Sequence, residues 1–316
     1  MVKQRTLKDS FYLKGKGLHT GLNLCITFNP APENHGYKFR RIDLEGCPVI
    51  DALAENVCDT DRGTVLSANG AKISTVEHAL AALYASEIDN CLIDVNGPEV
   101  PILDGSAFMY IEKIREVGTI EQAAKREYLC FNKSKIKVTD SSTGASISML
   151  PCNGLHIESR ITFESRFLKQ QDACLFDLKE FAREFASSRT FVFVKEIEPL
   201  LKNNMIKGGD LDNSIVIYDE QLPQDDFDQL ADAMGVKRKN SSLLGYIMNK
   251  PLIYPNEPAR HKLLDIVGDL ALIGKFIEGK IIAYRPGHKI NTMFSKAIRE
   301  YMKTEKKKVG VKSFSY

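Results

Sequence analysis

The sequence has no long apolar run, no excess of charge of either sign and no secretory signal. Its 316 residues contain no apolar stretch of roughly 18 residues, the length that a membrane-spanning helix needs, so no span is expected. A net charge of +2 gives no basic field over the surface, which argues against nucleic acid as a partner. The polar start of the chain lacks the apolar segment of a signal peptide. We therefore expect a soluble, cytoplasmic protein.

Cysteine pairs with metal-binding or redox spacing are also missing. The chain has 7 cysteines, an odd number, and no two are arranged as CxxC. They are Cys25, Cys47, Cys58, Cys91, Cys130, Cys152 and Cys174. This scatter is typical of reduced thiols in a cytoplasm and argues against a cysteine zinc knuckle. Any metal in this protein must therefore be held by histidine and carboxylate.

The length and the order of predicted elements indicate two domains. A chain of 316 residues can form two full cores. Strands and helices follow one another in a mixed order rather than in the regular alternation of a doubly wound sheet, which predicts an α+β fold. We expect an N-terminal domain over 1–122, a C-terminal domain over 127–303 and a basic tail over 304–316. The polar segment 119–128 is the best candidate for the linker.

Hydrophobic periodicity predicts the individual elements. Strands are expected at 22–28, 91–95, 129–138, 145–150, 155–163, 214–218 and 280–285. Helices are expected at 74–86, from about 106, at 177–187, at 194–204, at 224–235, after 256 and at 291–303. Ser74 and Glu77 match a capping box, and Asn256 is a plausible N-cap. Thr190 is expected where a helix gives way to a loop.

Five side chains could carry chemistry, and each also has a structural explanation. His261 and Asp265 are four residues apart, so in a helix they share one face. They could bind a metal or belong to a solvated helix face. Glu77 could be a base or complete the capping box, and His78 could bind a metal or lie in the core. His288 could act chemically or simply lie at the start of the last helix.

Taken in chain order, the motifs over residues 3–303 resemble those of a known family. They are Gly15-Lys16-Gly17-Leu18-His19-Thr20-Gly21, Ser74-Thr75-Val76-Glu77-His78, Asp104-Gly105-Ser106, Ser188-Arg189-Thr190-Phe191, Gly208-Gly209-Asp210, Arg260-His261-Lys262 with Asp265 and Asp269, and Gly287-His288. The set resembles the UDP-3-O-acyl-N-acetylglucosamine deacetylase family, zinc enzymes of lipid A biosynthesis. The resemblance implies two domains of similar layout, each a β-sheet with helices packed on it, whose helix layers meet at the active site.

The resemblance also implies a role for individual residues. The ligands of Zn²⁺ would be His78, His261 and Asp265. The catalytic residues would be Glu77 as general base, His288 as the protonated partner, Asp269 as the residue that orients it, and Thr190 as donor to the oxyanion. The substrate would be bound by Lys262, Arg285, Phe191, Phe193 and Ile197. Residues 192–217, including Ile197, would form a hydrophobic passage for the acyl chain.

Three positions depart from the pattern of many relatives. Thr64 and Val65 stand where a cysteine is common near the site, and Glu196 stands where an aspartate is common. The segment 218–254 is longer than in many members and carries an extra predicted helix.

The expected function is zinc-dependent hydrolysis of the N-acetyl group of a UDP-linked, 3-O-acylated N-acetylglucosamine, giving acetate and the free amine. One alternative is a zinc amidohydrolase that acts on another acylated amino sugar. Another is a nucleotide-sugar or lipid-binding module with a structural metal. A monomer is the default expectation, and contact with a membrane is expected to be peripheral at most, because no amphipathic anchor is evident.

Overall fold

The computed structural model describes residues 2–131 and 135–311. The strands are β1 (Lys3–Leu7), β2 (Phe11–Lys16), β3 (Asn23–Pro30), β4 (Tyr37–Arg41), β5 (Val49–Asp51), β6 (Val57–Asp59), β7 (Val65–Ala68), β8 (Ala71–Ile73), β9 (Cys91–Val95), β10 (Thr119–Lys125), β11 (Tyr128–Cys130), β12 (Ile136–Thr139), β13 (Ser146–Leu150), β14 (Leu155–Ile161), β15 (Gln171–Leu175), β16 (Thr190–Phe193), β17 (Ser214–Tyr218), β18 (Gly245–Ile247) and β19 (Phe276–Tyr284). The helices are α1 (Glu77–Ala85), α2 (Phe108–Val117), α3 (Phe181–Glu184), α4 (Val194–Lys202), α5 (Gln224–Ala233), α6 (Glu257–Ala271) and α7 (His288–Val311).

The two halves of the chain build their main sheets in the same way. The strand order is β2-β3-β9-β4-β5 in the first sheet and β12-β13-β19-β14-β15 in the second. In each sheet the central strand, β9 or β19, pairs antiparallel with one neighbour in this order and parallel with the other, and the start of β19 also pairs in parallel with β11. Each central strand is preceded by one helix and followed by another, α1 and α2 in the first half and α6 and α7 in the second. The expected α+β fold with two sheet-and-helix units of similar layout is therefore confirmed.

The helices that precede the two central strands, α1 and α6, pack directly against each other. The small side chains of Ala79, Ala81 and Ala82 keep α1 narrow, and all three are fully buried. On α6, a Cβ added at Gly268 would lie 2.1 Å from the carbonyl oxygen of Glu77. Glycine at this position therefore permits a close crossing of the two helix backbones, and one continuous hydrophobic core contains residues of both helices and both sheets.

Each half carries an insertion at the same place, between the fourth strand of its sheet and the helix that leads to the central strand. In the first half residues 52–76 form the small sheet β6-β7-β8. In the second half residues 176–256 contain α3, α4, α5 and the small sheet β16-β17-β18. The second insertion has a hydrophobic cluster of its own, formed mainly by α4, α5 and β17. Both insertions therefore lead into the N-terminal ends of α1 and α6.

Several predicted elements are confirmed and others are wrong. Strands 91–95 and 214–218 agree to the residue. The expected linker is not a linker over residues 119–125, because these form β10, which pairs with β1. The predicted strand 129–138 consists of β11 and β12, and residues 132–134 lie outside the described part. The helix expected at 177–187 is reduced to a 3-10 turn and the four-residue α3.

Helix ends also differ from the prediction. The last helix begins at His288 rather than at 291 and continues to Val311, so it includes the first residues of the predicted tail. Asn256 precedes α6 as predicted, but its side chain makes no capping bond and contacts Asp172 and Arg260 instead. Among the described residues, no helix is long and apolar enough to cross a membrane. The division into domains at 122 and 127 stays a proposal.

Candidate functional site

Three potential metal ligands meet where α1 crosses α6. The Nε2 atoms of His78 and His261 lie 3.8 Å and 3.5 Å from Oδ1 of Asp265. One ligand atom from each of the three residues lies within 4.8 Å of the other two, and all three residues are buried. His78 comes from the second position of α1, and the other two lie one turn apart on α6. The site thus draws its ligands from both halves of the chain.

Hydrogen bonds orient the ligands on α6. Nδ1 of His261 lies 3.0 Å from the carbonyl oxygen of Ser188, and a carbonyl can only accept, so this nitrogen carries the proton. The lone pair of Nε2 is therefore free to bind a cation. Nζ of Lys262 donates to Oδ2 of Asp265 at 2.8 Å. The other oxygen, Oδ1, is therefore available to bind a cation between the three residues.

The chemistry of this group fits a bound divalent cation. Oδ1 of Asp265 is buried and has no hydrogen-bond partner among the described residues. Burying a carboxylate oxygen without a hydrogen-bond partner destabilises the folded state. A cation between this oxygen and the two imidazoles would supply the missing partner. Burial holds the pKa of His78 down to about 3 and also lowers that of His261, so both rings are neutral, as metal ligands must be. Two neutral imidazoles and one carboxylate are ligands that suit zinc.

Glu77, the first residue of α1, does not cap its own helix. Its Oε2 accepts a hydrogen bond from the backbone N–H of Thr64 at 3.0 Å, so the predicted capping box with Ser74 is wrong. Burial raises the pKa of Glu77 to about 7, against the lowering effect of nearby His288. A carboxyl group with such a pKa can take up and release a proton near neutral pH.

His288, the first residue of α7, faces three carboxylates. Its Nδ1 lies 3.2 Å from Oδ2 of Asp269, and its Nε2 lies 3.7 Å from Asp265 and 4.0 Å from Glu77. Burial alone would lower the pKa of His288, but the negative charges of these groups outweigh it and raise the pKa to about 9. The imidazole is therefore protonated at neutral pH and can act as an acid.

Asp269 is held in place by donors from two segments, the loop before β7 and helix α7. Its Oδ1 accepts from Oγ1 of Thr64 at 2.6 Å, and its Oδ2 accepts from Nδ2 of Asn291 at 2.9 Å. Its backbone carbonyl accepts from Ser295 at 2.8 Å. The carboxylate that faces His288 is fully buried and cannot rotate without breaking these bonds.

A cavity of about 220 Å³ extends from the metal-binding group into the second insertion. Near the ligands it is lined by Thr190 and Phe191 at the start of β16 and by Lys262. The Nζ atom of Lys262 lies 5.5 Å from the Phe191 ring, and this ring lies 6.5 Å from that of His261. Thr190 starts a strand rather than the predicted loop, because β16 pairs in parallel with β17.

Ile197 and other apolar residues also line the cavity, and their role as a passage for an acyl chain stays a prediction. This part of the lining comes from α4, β17, α5 and β18 and from the loops beside them. The lining residues there are Val192, Val194, Ile197, Leu200, Ile206, Leu211, Val216, Phe227, Leu230, Ala231, Met234, Val236 and Ile247.

The structure does not bring two of the expected substrate residues to this cavity. Phe193 is buried against Phe163, with ring centroids 5.4 Å apart, because Phe163 covers the far end of β16. Arg285 follows β19 in a left-handed conformation with a φ of 52°, and its side chain is exposed. Neither residue is part of the cavity wall among the described residues.

Several residues that the sequence analysis gave no role also belong to the site. Thr64 links Glu77, through its N–H, with Asp269, through its hydroxyl. His19 and Arg62 line the entrance, and Arg62 forms an ion pair at 3.2 Å with Glu196 of α4. The glycine-rich loop that carries His19 is one of the motifs on which the family resemblance rests. It is ordered by the buried carboxylate of Glu99, which accepts from the N–H groups of His19 and Thr20.

Comparisons with known proteins agree on one family. The model of the family described as UDP-3-O-acyl N-acetylglycosamine deacetylase, LpxC, matches residues 4–233 and 233–300. A protein of Bacteroides thetaiotaomicron named bifunctional enzyme LpxC/FabZ is 60% identical over 95% of this chain, and one of Porphyromonas gingivalis with the same name is 56% identical over 96%. The chain spans only 65% of the length of each of these two relatives.

A third relative is matched over nearly its whole length. The UDP-3-O-acyl-N-acetylglucosamine deacetylase of Thermosynechococcus vestitus is 39% identical to this chain, and the alignment covers 94% of both. The family model and this relative both include the segments that carry the ligands on α1 and α6. The chain therefore belongs to the UDP-3-O-acyl N-acetylglycosamine deacetylase family.

Proposed function

We propose that this protein hydrolyses the N-acetyl group of UDP-3-O-(3-hydroxyacyl)-N-acetylglucosamine to acetate and the free amine, a step of lipid A biosynthesis. The observation that carries the proposal is the buried group of His78, His261 and Asp265 with the Glu77 carboxyl beside it. Family membership and the names of the relatives support the substrate class.

The proposed cofactor is Zn²⁺, held by His78, His261 and Asp265. Three protein ligands leave one coordination position for water or substrate, as catalytic zinc sites require. A bound zinc ion would polarise the acetyl carbonyl and lower the pKa of water to ~7.

Glu77 is the proposed general base. A pKa of about 7 lets it remain partly ionised at neutral pH and still bind the proton that it takes from the attacking water. The N–H of Thr64 keeps its Oε2 in place, so the other oxygen, Oε1, is left to face the reacting atoms and His288.

His288 is the proposed acid. Its pKa of about 9 keeps it protonated at neutral pH, so it can stabilise the negative charge of the transition state and donate a proton to the leaving amine. Asp269 orients it through Nδ1, which leaves Nε2 directed at Asp265 and Glu77. Thr190 at the cavity wall is the proposed donor to the oxyanion.

Substrate binding is proposed for Lys262, Phe191 and Ile197. Lys262 is cationic, because the charge of Asp265 raises its pKa although burial opposes this, and it suits the sugar and diphosphate end of the substrate. Phe191 offers an aromatic wall beside it. The apolar region of residues 192–217 around Ile197 suits the acyl chain.

The test is acetate release from the acylated nucleotide sugar, measured on the zinc-loaded protein, on protein treated with chelator and on the Glu77→Gln variant. We expect loss of turnover by 10²–10⁴-fold in the variant, the usual contribution of a general base, with zinc content unchanged. Glu112→Gln, at an exposed position of α2, is the matched control. A folded, zinc-containing Glu77→Gln protein with normal turnover would contradict the role of Glu77 as general base. No acetate release from the zinc-loaded wild-type protein would contradict the hydrolase and favour a binding module with a structural metal.

A further inference from the structure

The long segment 218–254 forms one wall of the cavity. Helix α5 contributes Phe227, Leu230, Ala231 and Met234, which follow one another at helical spacing and form a single stripe. The opposite side of the helix carries Asp225, Asp226, Asp232 and other polar residues, and these three are exposed. The apolar stripe therefore faces the cavity rather than solvent.

Helix α4 and strand β17 also line the cavity. The buried residues Val194, Ile197 and Leu200 of α4 belong to the same hydrophobic cluster as Phe227 of α5. No titratable group of α5 lines the cavity among the described residues. The wall that α4, β17 and α5 form is mostly apolar and suits a hydrocarbon chain, although Glu196 of α4 and Lys237 and Lys239, which follow α5, also line the cavity.

Helix α5 is fixed in place and is not a loose lid. The Phe227 ring stacks on that of Tyr218 of β17 at 4.4 Å with an interplanar angle of 9°. The Tyr218 hydroxyl donates to the carbonyl oxygen of Ser241 and accepts from the N–H of Leu222, each at 2.9 Å. The side chain of Gln224, at the start of α5, bonds to the backbone of Ser241 at 2.8 Å. These contacts anchor the first turn of α5 to β17 and to the segment that follows the helix, so this wall of the cavity has a defined position.

We propose that α5 limits the length of the acyl chain that this protein accepts, and that Ala231 and Met234 are specificity-determining residues. This proposal rests on the proposed function, in which the cavity binds the acyl chain of the substrate. Ala231 is the smallest side chain of the stripe and leaves space in front of it. Met234, one turn away, is flexible and half-buried, so its truncation enlarges the cavity without breaking the Phe227–Tyr218 stack.

The magnitude follows from the burial of methylene groups. Each buried methylene strengthens binding roughly fourfold, since its transfer from water is worth about 0.8 kcal/mol. A leucine at position 231 adds three carbon atoms to the space in front of the helix. We expect Ala231→Leu to exclude about two methylenes of a long chain and so to reduce the preference for it by roughly 15-fold. Met234→Ala should shift the preference towards longer chains.

The experiment has two measurements on the zinc-loaded full chain. One is the binding of 3-hydroxy fatty acids of ten to eighteen carbons, determined by calorimetry, which requires no turnover. The other is kcat/KM for acetate release from UDP-3-O-acyl-N-acetylglucosamines with the same acyl chains. Ala233→Leu is the matched control, because Ala233 lies on the exposed side of the same helix. Thermal unfolding verifies that each variant is folded.

The expected result is a shift to shorter chains in Ala231→Leu, a shift to longer chains in Met234→Ala and the wild-type profile in Ala233→Leu. Wild-type length profiles in both cavity variants, with acetate still released, would overturn the proposal and leave the proposed function standing. Shifted fatty-acid binding without acetate release from any substrate would overturn the proposed function. It would still support the proposal that α5 limits the length of the bound chain. Absence of both fatty-acid binding and acetate release would overturn both.

Discussion

The crossing of α1 and α6 predicts an unusual effect of replacing Gly268 by alanine. Alanine favours an α-helix over glycine by about 0.8–1.0 kcal/mol, so helix propensity alone predicts a more stable protein. The new Cβ, however, would lie 2.1 Å from the carbonyl oxygen of Glu77, and real Cβ contacts begin near 3.0 Å. Because the atom it meets is backbone and not a flexible side chain, the two helices must separate.

The clash outweighs the gain in propensity. Overpacking costs about 1–3 kcal/mol, and a backbone contact at 2.1 Å belongs at the upper end, so after the gain in propensity we expect Gly268→Ala to lower the free energy of unfolding by about 2 kcal/mol. The same separation moves His78, next to Glu77, away from His261 and Asp265. Zinc coordination tolerates ~0.2 Å, so zinc affinity should fall at least about tenfold.

The assays are urea denaturation of the metal-free protein and zinc affinity by competition with a chromogenic chelator. Gly287→Ala is the control, since a Cβ there meets nothing within 4 Å, and it should leave the free energy of unfolding unchanged. A Gly268→Ala protein that is more stable than wild type, with normal zinc affinity, would refute the idea that the close crossing positions the ligands.

Three further predictions concern the buried charges and the metal. Glu257→Ala should lower the free energy of unfolding by about 3–5 kcal/mol in urea, because it leaves buried Arg189 without its partner at 2.9 Å. Glu198→Ala, which breaks an exposed pair, should cost under about 1 kcal/mol, and equal losses would contradict this contrast. Asp269→Asn removes one of the charges that raise the pKa of His288 to about 9, so activity that needs the protonated ring should be lost at lower pH than in wild type. An unshifted alkaline limb of the pH–rate profile would show that Asp269 does not act on His288. Zinc at 1,000 times its Kd should raise the free energy of unfolding of the chelator-treated protein by about 4 kcal/mol, if it binds only the folded state. An unchanged urea midpoint would show that the folded protein has no such site.

Local spacing in the sequence predicted one half of the site. His261 and Asp265 are one helical turn apart, so their common face followed from the helix period alone. Nothing in the periodicity indicated that His78 would approach them, because that contact depends on the packing of two helices from different halves of the chain. The ordered set of motifs, and not the spacing of any one of them, led to the prediction that these residues converge.

The errors have physical reasons that a single sequence does not contain. Residues 119–125 are polar, as a linker would be, but β10 is an edge strand whose partner β1 lies more than 100 residues away. The rings of Phe191 and Phe193 both contact Phe163, from another segment, at 5.7 Å and 5.4 Å, yet only Phe191 lines the cavity, and no pattern in the sequence distinguishes the two. Thr64 lies in a loop without any pattern, and its two contacts become visible only when α1 and α6 are in place.

The duplicated layout places the potential metal ligands and the apolar wall of the cavity in different parts of the fold. Both insertions enter at the same point of the repeated unit, just before α1 and α6, where His78 and His261 also lie. The ligands themselves lie on helices held by the common core, whereas the apolar wall of the cavity comes mainly from the second insertion, which has its own hydrophobic cluster. Changes in α5 can therefore alter the shape of the cavity without moving the helices that hold the metal ligands. For that reason a helix that adds nothing to the metal-binding group can still decide which substrate reaches it.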